Sequence, residues 1–205
     1  WATAQTVTLT GIDDDVIDVD TQTSVTITVV DATSDDDFDD VADQTITVTT
    51  TDNDTAGFTK SETTQTVTEA GGTDTFTLVL DAQPASNVVL NVVSGDTGEV
   101  TVSAASFTFT NSNWDTAQTV TLTGVDDNDD DGDIDTTVTI TVVDASSDDN
   151  FDSLADQTIT VTTTDNDTEP GFTKSETTQT VTEAGGTDTF TLVLDAEPAS
   201  NVVLR

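Results

Sequence analysis

Residues 125–135 read VDDNDDDGDID, seven aspartates in eleven positions. Carboxylates at this density can do two things. Left alone they repel: two unit charges 4 Å apart cost about 1 kcal/mol in water and about 4 kcal/mol near a protein surface. Given a hard cation they become ligands, since calcium takes about six to eight oxygens at about 2.3–2.6 Å and flexible Asp and Glu loops supply them. Further acids stand at Glu69 in VTEAGG, Asp96 in SGDTG, and Asp165 and Asp167 in TDND. The chain has no Cys and no His. Thiolate and imidazole chemistry are therefore absent. Oxygen donors without nitrogen or sulfur disfavour zinc and copper, and magnesium demands strict octahedral geometry. No enzyme is expected, because no Ser has a plausible base and nothing marks a pocket among the Asp pairs.

The whole composition agrees. Among 205 residues there are 41 acids and 3 bases, a formal charge of -38. Lys60, Lys174 and Arg205 cannot assemble a basic patch, so nucleic acid and anionic membrane surfaces are excluded as partners. No signal peptide and no apolar run of about 18 residues is present. High charge with few aromatics is also the signature of disorder, but the patterning opposes it.

That patterning begins with a repeat. WATAQTVTLTG at residue 1 returns as WDTAQTVTLTG at residue 114. TDNDTAGFTKSETTQTVTEAGGTDTFTLVLDA at residue 51 returns at 164 with one residue inserted at Glu169-Pro170. The chain divides into the C-terminal part of one repeat (1–54), a complete repeat (55–167) and the N-terminal part of the next (168–205). The expected setting is a longer tandem array.

Within the complete repeat the hydrophobic period is two. Phe76, Leu78 and Leu80 alternate with Thr75, Thr77 and Val79, and Val120, Leu122, Val138, Ile140, Val142, Ile159 and Val161 follow the same rule. Leu90, Phe107 and Phe109 add to one face. Thr fills the opposite faces. About seven strands are predicted, over 59–69, 73–81, 87–94, 98–110 (bent), 117–124, 136–144 and 157–164, with no helix. The fold class is all-β: tandem immunoglobulin-like β-sandwich units, joined head to tail. Trp1 and Trp114 share one repeat position and are expected to pack at the core or its edge.

If successive strands alternate in direction, Glu69, Asp96, the 125–135 loop, Asp165 and Asp167 share one end of the sandwich. Asp148, Asp149 and Asp152 lie at the other end, where they bind a second ion or only repel neighbours. In an array the acid-rich exit end of one unit meets the opposite end of the next. Comparing copies refines the ligand list. Asp13, Asp14, Asp18 and Asp20 match Asp126, Asp127, Asp131 and Asp133, whereas Asp129, Asp130 and Asp135 are Val16, Ile17 and Gln22 in the earlier copy. The first four are expected to ligate, and the last three to be solvated charge. The plain alternative for any one acidic run is a solubilising loop. An EF-hand is rejected: DNDDDG at 127–132 fits its opening, but Val138 stands where a bidentate Glu is required. Asn53 and Asn166 match a glycosylation sequon, which their overlap with the metal ligands discounts.

FTKSETTQTVTEAGG, then GVDDNDDDGD, then a closing TDND, resembles the Calx-β domain, and more specifically the Calx-β-like tandem repeats of large bacterial calcium-dependent surface adhesins. The similarity spans the unit and all three copies. It implies Ca2+ at the domain end, held by Glu69, Asp96, Asp126, Asp127, Asp133, Asp165 and Asp167, with Asp131 beside them. The repeat-equivalent residues are Asp13, Asp14, Asp18, Asp20, Asp52, Asp54 and Glu183. The family's closing triplet is often all Asp, whereas here its middle residue is Asn166, and Asn53 in the earlier copy. The expected function is a calcium-rigidified extracellular spacer in a long cell-surface adhesin or fibre, its partners the adjacent repeats through calcium-bridged junctions. One alternative is a repeat of a self-assembling extracellular filament or surface layer, with lateral self-association. Another is a calcium-sensing Calx-β regulatory module.

Overall fold

The computed structural model describes residues 2–198 and 200–205. Three groups of strands follow the three copies. In the first, β1 (Thr21–Ile27) and β2 (Gln44–Thr50) form an antiparallel pair. The complete repeat holds β3 (Phe58–Lys60), β4 (Thr64–Thr68), β5 (Thr73–Leu80), β6 (Val88–Ser94), β7 (Val100–Val102), β8 (Ser106–Phe109), β9 (Gln118–Gly124), β10 (Ile134–Val142) and β11 (Gln157–Thr164). In the last, β12 (Phe172–Lys174) pairs with β13 (Leu192–Leu194). Among the described residues, no helix is long and apolar enough to cross a membrane.

The complete repeat is a β-sandwich of immunoglobulin-like build. One sheet runs β4-β11-β10-β6-β8 and the other β3-β5-β9-β7. Alternation puts Phe76, Leu78, Leu90, Phe109, Val120, Leu122, Val138, Ile140, Ile159 and Val161 between them, all essentially inaccessible. Trp114 packs half-buried on this core, and its carbonyl accepts from the Leu80 N–H at 3.1 Å. Trp1 lies outside the described residues. In the first copy the same face is bare. Ile46 is 50% exposed where its equivalent Ile159 is sealed, and among the described residues no second sheet covers β1 and β2.

Two predicted strands are each broken in two. Phe58 and Val67 are nine positions apart, so in one continuous strand they would point to opposite faces. Both are buried. The chain meets both demands by crossing from one sheet to the other at Ser61–Thr63, and 59–69 becomes β3 and β4. The bend expected within 98–110 is the same device. Val100 and Phe107 are an odd number of residues apart and both buried, so β7 and β8 belong to different sheets. The pairing is also not wholly antiparallel: β4 runs parallel to β11, from Thr64↔Thr160 to Thr68↔Thr164. Three single 3₁₀ turns, Asp31–Thr33, Asp36–Phe38 and Asp144–Ser146, stand where no helical turn was expected.

Phe151, in the loop before β11, is fully buried and closes the core at one end. Beside it the Asp148 carboxylate accepts from the N–H groups of Ser86 (2.9 Å) and Asn150 (3.1 Å). At the opposite end Gly124 lets β9 run close beneath the β4–β5 turn. Its N–H donates to the Gly72 carbonyl at 2.9 Å. A Cβ there would stand 2.1 Å from the Thr68 carbonyl oxygen. Gly124→Ala should therefore cost about 1–3 kcal/mol in urea unfolding, the usual range for overpacking. A wild-type midpoint would contradict this approach.

Candidate metal centre

The end of the sandwich beyond Gly124 gathers four segments. The turn after β4 carries Glu69, the turn after β6 carries Asp96, residues 125–133 link β9 to β10, and 165–167 follow β11. Backbone ties fix them together. The Glu69 N–H donates to the Thr164 carbonyl at 3.2 Å, and the Val125 N–H to the Glu99 carbonyl at 2.9 Å.

At the centre stand Glu69, Asp165 and Asp167. One carboxylate oxygen from each lies within 4.8 Å of the others. Two oxygens on opposite sides of one calcium ion are separated by about twice its 2.3–2.6 Å bond length, so the three fit a single ion. Glu69 is only 1% exposed. Its Oε2 accepts from the Asn166 N–H at 3.2 Å. Burial raises its pKa, this hydrogen bond offsets part of the rise, and the charges of Asp165, Asp127 and Asp131 add to it. Burial, followed by the charge of Asp165, raises Asp167 as well. Asp165 goes the other way. The N–H groups of Asp167 (2.7 Å) and Gly132 (2.8 Å) stabilise its charged form and lower its pKa.

The exposed 125–133 loop wraps this trio. Asp126 Oδ1 accepts from Asn166 Nδ2 at 3.3 Å, and Asp133 Oδ1 from the Asp165 N–H at 3.2 Å. Asp127 Oδ1 accepts from the Asp129 N–H at 2.8 Å, which turns the loop back on itself. Asp131 reaches the site through its charge on Glu69 and Glu99. Asp96 Oδ1 caps the Gly98 N–H at 2.8 Å, and its charge acts on Glu99. Of the three acids expected to be solvated, Asp129 is exposed and makes no side-chain bond among the described residues. Burial, followed by the neighbouring Asp165, raises the pKa of Asp130, and Asp135 Oδ1 accepts from Thr162 Oγ1 at 2.6 Å.

The earlier copy builds the same bonds. Asp14 Oδ1 accepts from the Val16 N–H, Asp20 Oδ1 from the Asp52 N–H and Asp52 Oδ1 from the Asp54 N–H, at 3.0, 3.1 and 2.8 Å. Asp13 bears on Asp54, whose pKa rises first through burial and then through the charge of Asp52. One donor shifts. Gly132 has φ +78°, and its equivalent is Val19, which cannot adopt that conformation cheaply. In the first copy the bond to Asp52 Oδ2 comes instead from the Asp18 N–H, at 3.0 Å. Glu183, the counterpart of Glu69, is exposed.

Sequence reasoning missed Glu99. It is 8% exposed, its Oε2 has no hydrogen-bond partner among the described residues, and its pKa is raised by burial and by Asp131, Asp96 and Asp127. Asp167 Oδ2 is likewise buried without a partner. An unpaired buried carboxylate oxygen is costly in a folded protein. Two of them facing the same acidic loops fit a centre completed by a cation. At the other end Asp152 Oδ1, on a side chain half-buried like that of Asp167, is also unpartnered, and the charges of Asp144, Asp149 and Asp148 bear on it.

No protein-family model and no curated protein matches the chain. Solved structures match it partially. SSP-19, an MSP-domain protein of Caenorhabditis elegans, is 17% identical over 52% of this chain and 99% of its own, with a TM-score of 0.38. The periplasmic chaperone SfaE is 8% identical over 53% and 56%, with a TM-score of 0.41. Domains 4 and 5 of the S-layer protein SbsC are 23% identical over 60% and 59%, with a TM-score of 0.38.

Proposed function

We propose that the chain is a calcium-rigidified spacer from a long extracellular surface adhesin or fibre, built of Calx-β-like repeats. The observation that carries this reading is the trio of Glu69, Asp165 and Asp167, converging within 4.8 Å at the end where one repeat passes into the next. Asp165 and Asp167 belong to the segment that leads out of the sandwich, and Glu69 belongs to its body. An ion shared by all three ties the linker to the domain and removes the bending freedom at the joint. Glu69, Asp165 and Asp167 would hold it, with Asp126, Asp127, Asp131 and Asp133 supplying loop oxygens. Extracellular modules bind calcium at about 10⁻⁴–10⁻³ M, a range met outside cells.

Small-angle scattering of the full chain tests the reading. Millimolar calcium should give a longer, narrower distribution of interatomic distances than excess chelator does. Superimposable profiles would remove the mechanical role.

A further inference from the structure

The chain contains two joints, and they are built differently. At the first, residues 14–17 of the preceding copy reach the β5–β6 turn of the complete repeat. The Gln83 N–H donates to the Asp15 carbonyl at 2.7 Å, and Val16 forms a parallel bridge with Gln83. Ile17 packs half-buried against the core of the complete repeat, as does Ala56 of the linker. Gln83 is itself held, since its Nε2 donates to the Asn111 carbonyl at 2.7 Å.

Each of these pieces is changed at the second joint. Val16-Ile17 becomes Asp129-Asp130, Gln83 becomes Glu197, and Ala56 becomes Glu169-Pro170. Glu197 has no side-chain N–H to donate, and aspartates cannot replace apolar packing. Among the described residues no bridge or backbone bond joins 128–131 to 195–198. The changes are concentrated. Residues 55–91 and 168–205 differ elsewhere only at Asn91 and Arg205. Both faces of one joint are therefore matched, neutral with apolar at the first and acid with acid at the second.

We propose that Val16-Ile17 is a docking element that latches one repeat onto the Gln83 turn of the next without any cation, and that the chain carries this latch at only one of its two joints. The apolar contact and the backbone bonds use no carboxylate oxygen, so no atom of the latch is a metal ligand, although Asp14 and Asp18 flank it in the same loop.

Hydrogen–deuterium exchange of the full chain tests the latch, using wild type and the Val16→Asp/Ile17→Asp variant, each in calcium and in chelator. The variant installs residues that the other copy already tolerates at the same loop positions. Exchange within 81–85 should be equally slow in both conditions for wild type, and about tenfold faster in the variant, the loss expected for one hydrogen bond with its packing. Exchange of β10 and β11 should not change, which reports an intact fold. Equal rates at 81–85 in the two proteins, or wild-type protection that vanishes in chelator, would overturn the latch. The calcium reading fails separately, by a melting temperature that ignores calcium in both proteins.

Discussion

Calcium added to the metal-free protein should raise its melting temperature by about 10 °C. An ion that binds only the folded state stabilises it by RT ln(1 + [L]/Kd), about 2.7 kcal/mol at a hundredfold excess over Kd. For a domain of this size each kcal/mol moves the midpoint by several degrees. The gain should be larger than for an ordinary surface ion pair, because Glu69 is sheltered from solvent and the Glu99 Oε2 and Asp167 Oδ2 atoms lack partners. Glu69→Gln and Asp167→Asn keep the shape and remove one charge each. Either should abolish most of the shift while leaving the metal-free protein as stable as wild type or more so, since a buried like charge is gone. Scanning calorimetry decides it. A calcium-independent midpoint in the wild type would dismiss the site.

Acid should act in opposite directions with and without metal. Glu69, Glu99 and Asp167 all have pKa values raised by burial, from ordinary values of 4.5 for Glu and 3.8 for Asp. A raised folded pKa means that the folded state binds protons more tightly. Its contribution is complete below the ordinary value and is lost as pH rises through the raised one. Asp165 has a lowered pKa, and its contribution is lost only as pH falls below 3.8. Metal-free protein should therefore become more stable between neutral pH and about pH 4.5, then lose stability below pH 4. In calcium, protons compete with the ion, so the metal-induced shift should shrink over the same fall. Melting series at pH 7, 6, 5 and 4 with and without chelator read both slopes. A metal-free midpoint that falls steadily from pH 7 would show that these acids do not carry the balance.

The alternation of Val, Ile, Leu and Phe against Thr made the sandwich legible from sequence. The break in 59–69 was visible in principle, because Phe58 and Val67 cannot share a face of one straight strand. It was masked by the run of Thr between them, which suits either sheet. The site was legible where the chain repeats itself. Asp126, Asp127, Asp131 and Asp133 were picked out by their counterparts at 13, 14, 18 and 20, and the structure brings that loop to Glu69 and Asp165. Glu99 was hidden for the complementary reason. Residues 92–113 occur once in the chain, so no second copy marked it. Being followed by the buried Val100, it read as the start of a strand. Asp130 was set aside because its counterpart is Ile17. That difference carries meaning of another kind, since the same loop position meets a neighbouring repeat.

The parallel pairing of β4 with β11 bears on how such a chain meets tension. The first long strand and the last lie side by side and point the same way. A pull on the two ends of the unit draws them past each other lengthwise. All their ladder bonds are then loaded at once, whereas an antiparallel hairpin would peel open one bond at a time. The clamp lies next to Glu69 and Thr164, so the segment that takes the strain is the one an ion would brace.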